Sequence, residues 1–357
     1  MTGRLSFPFW SEITPLSVLG MGISLPGDSI STDELLRSLE RRFGLPLHRR
    51  GMAIARKLGI HSRHLCRDMV ARLEAPRRGH RNPELAATAL RGALAEAGVA
   101  AQDLSYLIGH TATPARLMPP NIGEVAELLD YDGPFAEFRQ ACTGFANALV
   151  FAQGILRAGG GPVAIVGSET GSIFFDPHRA IADTGQLVNL VQMGDGAAAI
   201  ILTREASGQG ARLSNVFYGQ AGRGRAAGLA VAGGGSDRPE CRVGFPEFRH
   251  DFRTVRYSGL DLLLRCAAVA KSFGSGPEDF ILPHQANGRM NTIMAPQLGL
   301  PPERIVVTAD RLGNTGSAAI WIALALLRAT LKPGQTALAL GGEATDFMYG
   351  GFRYCHG

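Results

Sequence analysis

Continuous apolar runs alternate with amphipathic stretches along the first half of the chain. Apolar runs of about 5–11 residues predict buried strands, and apolar positions that recur with a period near 3.6 predict helices. Ser31 or Thr32 is a candidate N-cap, and Gly98 is a stop signal for the preceding helix. The predicted strands are 15–25, 104–110, 135–141, 162–167 and 197–203, and the predicted helices are 33–43, 82–96, 121–129 and 143–158.

The second half repeats this order of elements, although no repeated sequence is visible. Strands that are apolar throughout indicate sheets covered by helices on both faces, so we predict an α/β protein with halves at residues 1–205 and 206–357. The glycine-rich stretch 219–235 is predicted to be a surface insertion or a lid. The predicted strands of this half are 212–218, 279–283, 305–308, 336–340 and 350–354, and the predicted helices are 260–273 and 317–331.

Composition narrows the class of protein. The chain has 357 residues, 45% of them hydrophobic and 19% charged, which excludes global disorder. The longest clearly apolar helical run, 317–327, is about half the roughly 20 residues of a membrane span, and the N-terminus lacks the layout of a signal peptide. We therefore predict a cytoplasmic protein with no membrane partner.

Charge and cysteine content exclude further classes. The net charge is +5, and no basic run is interleaved with aromatic residues, so no nucleic acid partner is predicted. The cysteines are odd in number and form no CxxC pair, which argues against a disulfide framework. His61, His64 and Cys66 lack a second ligand cluster and are read as a polar turn, so no metal is predicted. The five cysteines are Cys66, Cys142, Cys241, Cys266 and Cys355.

Cys142 lies where a predicted strand runs into a predicted helix, in the segment EFRQACTGFANAL. A helix start carries partial positive charge and free N–H groups, which favour a nucleophilic thiolate. The small neighbours Ala141 and Gly144 would let a substrate approach closely. A buried structural cysteine is the alternative interpretation.

Two further polar residues follow predicted strands. His284, in ILPHQANGR, is placed to offer an imidazole N–H to a developing negative charge, or else it is a core histidine with its hydrogen bonds satisfied. Asn314, in DRLGNTGSAA, has a neutral amide that donates hydrogen bonds, but alone it is typical of a turn or cap.

Together these segments resemble the Cys-His-Asn set of the thiolase-fold β-ketoacyl-ACP synthase III family. CTGF, HQAN and GNTGSA occur in the family's order, and MGDGAA, VGSE and KLGIHSRH resemble other family segments. The resemblance covers residues 15–354. It implies a thiolase-like fold with five layers, αβαβα, and a homodimer that needs no cofactor.

The resemblance also implies a reaction. Cys142 would take an acyl group from an acyl-CoA or acyl-ACP primer, with the N–H groups of Cys142 and Gly342 holding the oxyanion. A malonyl-ACP or malonyl-CoA would then lose carbon dioxide, while His284 and Asn314 donate hydrogen bonds to its thioester oxygen. The product would be a β-ketoacyl thioester, and acyl carrier protein would be a partner.

Binding residues follow from the same resemblance. Arg179 matches a contact to the coenzyme A nucleotide, Lys57 is a basic position near that tunnel, and Arg289 matches a residue that docks acyl carrier protein. Each is alternatively a solvated surface charge. Asn287 is a further substrate-binding candidate, and Met118 matches the dimer-interface loop that lines the partner's acyl pocket.

The chain departs from the family pattern at two places. The tryptophan that stacks on adenine has no counterpart near Ala53, which leaves open whether coenzyme A or a carrier protein delivers the primer. Glu343 and Asp346 in the closing loop are unexpected, and they either admit a polar acyl chain or face solvent. These departures suggest a specialised pathway.

Two rival functions stay open. Some relatives transfer the acyl group to an alcohol or amine without decarboxylation. A non-catalytic partner subunit is the other alternative, although such subunits usually lose one of the three residues that are all present here.

Overall fold

Strands and helices alternate along the chain in the computed structural model, which describes residues 8–67, 79–204, 210–233, 247–274 and 276–357. The strands of these ranges are β1 (Phe9–Glu12), β2 (Leu16–Ser24), β3 (Ile30–Ser31), β4 (Ser62–Arg63), β5 (Tyr106–His110), β6 (Phe135–Phe138), β7 (Val163–Glu169), β8 (Gly196–Arg204), β9 (Arg212–Gln220), β10 (Leu229–Ala232), β11 (Glu247–His250), β12 (Phe280–Pro283), β13 (Thr336–Glu343) and β14 (Met348–Cys355). The helices are α1 (Thr32–Phe43), α2 (His48–Leu58), α3 (Asn82–Ala97), α4 (Asn121–Leu128), α5 (Gly144–Arg157), α6 (Thr184–Gln192), α7 (Phe252–Ser272), α8 (Met290–Leu298), α9 (Ala309–Leu312) and α10 (Ala319–Arg328).

The main sheet joins strands from both halves of the chain. Its order is β12-β13-β14-β9-β2-β8-β7-β5-β6, with β1 paired to β9 beside β2. Only two residue pairs, Leu16 with Leu213 and Ser17 with Arg212, connect β2 to β9. The sheet therefore consists of two half-sheets that meet along a short seam.

Alternate residues of each strand pack against different helices, which gives five layers. On β13, Ala337 and Ala339 face a core shared with α5 and α10, whereas Leu338 and Leu340 face α7 and α8. On β8 the same alternation separates α5 and α10 from α3 and α4. Helices α5 and α10 thus form a central layer that both half-sheets cover, and the αβαβα arrangement is confirmed.

Most predicted elements are present, and two helices begin or end at the capping residues that the sequence indicated. Ser31 caps α1 by accepting the N–H of Glu34, and Gly98 ends α3 in the left-handed conformation. The helix predicted at 260–273 begins earlier, at Phe252, because Asp251 caps a polar, arginine-rich first segment. Helices α2, α6, α8 and α9 have no counterpart among the predicted helices. No helix in the described ranges combines the length and the apolar character that crossing a membrane requires.

The strand predicted at 305–308 is wrong. Only Ile305 forms a bridge, to Ile281 of β12. The main-chain groups of this segment are bound by the side chain of Gln285 and not by a neighbouring strand. Its Nε2 donates to the Val306 carbonyl (3.0 Å), and its Oε1 accepts the Thr308 N–H (2.7 Å).

Some predictions fall partly or wholly outside the described residues. The boundary between the predicted halves, at 205, is one of these, and Cys241 is another. Within the predicted insertion 219–235, residues 219–233 are described, and its strand β10 pairs antiparallel with β11.

Helix α3 packs directly on the backbone of β2. A Cβ atom at Gly22 would collide with the carbonyl of Ala89, and one at Gly20 with the carbonyl of Ala93. The two glycines therefore let the helix approach the sheet closely.

We expect Gly22→Ala to lower the free energy of unfolding by about 1–3 kcal/mol, because the helix must shift away from the strand. Gly154→Ala is the control, since a Cβ at that exposed site in α5 would meet nothing within 4 Å. It should be neutral or stabilise by up to about 1 kcal/mol. Guanidinium denaturation of both variants tests this, and equal midpoints would contradict the close approach.

Candidate active site

The turn that carries Cys142 is held by a carboxylate from the opposite half of the chain. Cys142 lies two residues before the first residue of α5. Glu343, at the end of β13, accepts the N–H of Ala141 (3.2 Å) and the N–H of Thr143 (2.9 Å). It also accepts the hydroxyl groups of Thr143 (2.7 Å) and Thr345. Four hydrogen bonds use the full acceptor capacity of a carboxylate.

This arrangement leaves one main-chain donor free in the turn. The N–H groups of Ala141 and Thr143 are bound to Glu343, and the N–H of Gly144 donates to the carbonyl of Ala141 (3.2 Å). The N–H of Cys142 makes no hydrogen bond with any other residue that the structure describes. It is therefore available to a substrate oxygen.

The half-buried thiol of Cys142 is not activated as the sequence predicted. Burial raises its pKa well above the ordinary value, and the negative charges of Glu343 and Glu169 raise it further. The predicted thiolate is wrong because the helix start is outweighed by burial and by two carboxylates from other strands.

Glu169, the last residue of β7, holds the loop that follows Asn314. Its carboxylate is buried and accepts the N–H (3.0 Å) and hydroxyl (2.7 Å) of Ser317. Burial raises the pKa of Glu169. The Ser317 hydroxyl also lies 3.2 Å from the carbonyl of Gln140, so this loop is next to the Cys142 turn.

Asn314 is fixed by its backbone and by one side-chain oxygen. Its N–H donates to the carbonyl of Gln192 (2.8 Å), and its own carbonyl accepts the N–H of Gly194 (3.0 Å). Its Oδ1 accepts the N–H of Gly316 (3.0 Å). The amide is thereby oriented with its Nδ2 donor free within the described residues.

His284 follows β12 directly and is buried. Its main-chain N–H donates to the carbonyl of Leu340 on β13 (2.8 Å). The ring nitrogen Nδ1 has no hydrogen-bond partner in the described ranges. Burial lowers the pKa of the imidazole from 6.5 to about 4. His284 is therefore neutral at physiological pH and can donate one N–H.

Gln192, at the end of α6, joins the loops of His284 and Asn314. Its carbonyl accepts the N–H of Asn314, and its Nε2 donates to the carbonyl of Ala286 (2.5 Å). Sequence reasoning missed this residue. Its position next to MGDGAA was the only available signal, and it did not distinguish a contact from a surface glutamine.

Gly342 lies between two residues that face the Cys142 side of the sheet. A Cβ at Gly341 would meet the ring of Phe145 in α5, and Glu343 binds the turn before that helix. Gly342 itself faces α7, where a Cβ would lie 3.2 Å from Cβ of Leu262. The predicted oxyanion donor is thus adjacent in the chain to the residue that binds the Cys142 turn.

The two acidic residues of the closing loop differ. Asp346 is exposed, as one prediction had it. Glu343 is buried, so the prediction that it faces solvent is wrong. Its four acceptor positions are filled by the protein, so it does not offer hydrogen bonds to a polar acyl chain.

The predicted binding cations are exposed and lie around α2. Arg289 donates to the carbonyl of Arg56 (2.9 Å) beside Lys57 at the end of this helix. Arg50 of the same helix donates to the carbonyl of Ile181 (2.7 Å), in the turn that begins at Arg179.

Asn287 and Met118 are the other predicted binding residues. Asn287 uses its Oδ1 to accept the N–H of Arg289 (2.8 Å). Met118 is 83% exposed. Among the described residues, no three His, Cys, Asp or Glu side chains are grouped as a metal site requires.

Comparison with known proteins identifies the family. Residues 136–222 match the model of 3-oxoacyl-[acyl-carrier-protein (ACP)] synthase III, and residues 275–349 match its C-terminal model. The β-ketoacyl-[acyl-carrier-protein] synthase III of Rhizorhabdus wittichii is 30% identical over 339 residues, which are 92% of this chain and 96% of the relative. The chain belongs to the β-ketoacyl-ACP synthase III family. It is therefore a member of a family of condensing enzymes, which are transferases.

Solved structures of this family have the same fold. The tetronic acid condensing enzyme AbyA1 superposes with a TM-score of 0.82 at 27% identity, over 95% of this chain and 99% of that one. FabH from Pseudomonas aeruginosa superposes with a TM-score of 0.77 at 25% identity, over 96% and 98%. The thiolase-like fold implied by the sequence motifs is confirmed.

We expect the His284 imidazole to titrate near pH 4, because the folded protein opposes its protonation. Since its folded pKa is below the unfolded value of 6.5, its contribution to stability is complete above pH 6.5 and is lost as the pH falls toward 4. NMR titration of the ring resonances measures this, with His284→Gln to assign them. A midpoint at or above 6.5 would contradict a neutral His284.

Proposed function

We propose that this protein catalyses a decarboxylative condensation in which Cys142 carries the acyl group and His284 and Asn314 bind the malonyl thioester. The observation that supports this most directly is the free N–H of Cys142 at the start of α5. It lies in a turn held next to the loop that carries a second donor, the amide of Asn314.

The first step is transfer of the primer. The Cys142 sulfur attacks the thioester carbonyl, and the N–H groups of Cys142 and Gly342 stabilise the oxyanion. The bond between the carbonyl carbon and the donor sulfur then breaks. The donor leaves as a thiol and takes the proton that Cys142 loses, so no external base is consumed.

The second step is condensation. The malonyl thioester loses carbon dioxide, and the electron pair of the broken C–C bond forms an enolate whose oxygen accepts hydrogen bonds from His284 and Asn314. A neutral imidazole suits this role, because its one ring N–H can donate a hydrogen bond to the enolate oxygen at physiological pH. The enolate carbon attacks the acyl-cysteine, and the bond between the acyl carbon and the Cys142 sulfur breaks. The thiolate takes up a proton from solvent, and a β-ketoacyl thioester results.

The surroundings of the site suit a carrier-bound acyl group. Lys57, Arg179 and Arg289 place positive charge around α2, where the phosphate of coenzyme A or an acidic acyl carrier protein would bind. The exposure of Met118 is consistent with a homodimer in which this loop is covered. The likeness to a tetronic acid condensing enzyme supports a specialised pathway.

Intact-protein mass spectrometry with a panel of acyl-CoA and acyl-ACP donors, followed by a malonyl thioester, tests this function. We expect an adduct on Cys142 that clears with release of carbon dioxide, and no adduct on Cys142→Ala. His284→Ala and Asn314→Ala should still form the adduct but condense about 100-fold more slowly or worse, because each loses one donor to the enolate oxygen.

Other outcomes would favour the rival functions. An adduct that persists with malonyl thioester and clears with an alcohol or amine would make the protein an acyltransferase. The absence of an adduct with every donor would favour a non-catalytic subunit.

A further inference from the structure

Glu343 is an unusual residue for its position. It is the last residue of β13 and follows two glycines, yet it is only 2% exposed. A buried carboxylate is costly unless it is fully hydrogen bonded, and here two of its four bonds go to main-chain N–H groups on either side of Cys142. A strand of the C-terminal half thereby holds the turn of the N-terminal half that carries Cys142.

We propose that Glu343 is a positioning residue that orients the N–H of Cys142 toward the thioester oxygen. The inference rests on the proposed role of Cys142 as the acyl carrier. By binding the N–H groups of Ala141 and Thr143, the carboxylate fixes the peptide planes immediately before and after the one that carries the N–H of Cys142. A donor to an oxyanion must be aimed at the place where charge develops, so this orientation acts on the rate of acyl transfer.

The same carboxylate has a second, opposite effect on the thiol. It is a negative charge beside the sulfur, and it disfavours the thiolate. Removing the charge should therefore make Cys142 more reactive toward a small alkylating agent, which needs no oxyanion donor. Removing the hydrogen bonds should make acyl transfer slower. A general loss of structure would also lower the alkylation midpoint, because it would expose the half-buried thiol, so the two changes are assigned to Glu343 only in a variant whose near-UV circular dichroism is native.

Glu343→Gln is the informative variant, because it removes the charge and keeps the size of the side chain. We expect its single-turnover acyl transfer to fall about tenfold or more, with little change in the KM for the thioester. The pH midpoint for alkylation of Cys142 by iodoacetamide should move to lower pH. Asp346→Asn is the matched control, since this exposed acid lies three residues further along, and it should change neither quantity.

Two results would overturn the inference. One is acyl transfer by Glu343→Gln at the wild-type rate, and the other is a slower rate that comes with an unchanged alkylation midpoint. Near-UV circular dichroism checks the fold.

If Glu343→Gln does not fold, Glu343→Asp keeps the charge but shortens the side chain, so acyl transfer should fall while the alkylation midpoint stays near the wild-type value. If wild-type Cys142 accepts no acyl group from any thioester, the proposed function fails, whereas the alkylation midpoints still report on Glu343.

Discussion

The arrangement of the site depends on the burial of α5 and α10 between two half-sheets. Trp321 of α10 is fully buried there and packs against Phe145 of α5 and Phe352 of β14, with ring centroids 5.8 and 5.6 Å away. Because Ser317 reaches the carbonyl of Gln140, the two helices begin side by side. The turn that carries Cys142 and the loop that carries Asn314 are neighbours for this reason.

Two buried carboxylates satisfy these helix starts. Glu343 accepts N–H groups of the turn before α5, and Glu169 accepts the N–H of Ser317 before α10. Unbound N–H groups at a buried helix start would be costly, and a carboxylate there interacts favourably with the helix dipole. The same charges raise the pKa of the Cys142 thiol. Stabilising the central layer and forming a thiolate at Cys142 are therefore opposed.

Local signals predicted much of the fold and the positions of the candidate site residues, but not the contacts among them. Apolar runs located most strands, and polar residues between a predicted strand and a predicted helix were the candidates Cys142, His284 and Asn314. Glu343 could not be interpreted, because its partners lie about 200 residues away in the chain. The sequence also predicted a lowered pKa for Cys142, whereas the pKa is raised. The prediction used only the local helix start, and the two carboxylates that raise the pKa are brought in from other strands by folding. At 305–308 the predicted strand is absent, and the side chain of Gln285 binds this segment from 21 to 23 residues away in the chain.

The loops of His284 and Asn314 are held together through α6 and not through the sheet alone. Gln192 binds both loops, and α6 packs with α1 and α2 in a small apolar cluster of its own. Helix α2 also carries Lys57 and contacts the loops of Arg179 and Arg289. A carrier that bound at α2, as proposed above, would contact the same packed helices that hold Gln192 between the two loops. Helix α2, around which the predicted binding cations lie, therefore belongs to the cluster that also supports the loops of His284 and Asn314.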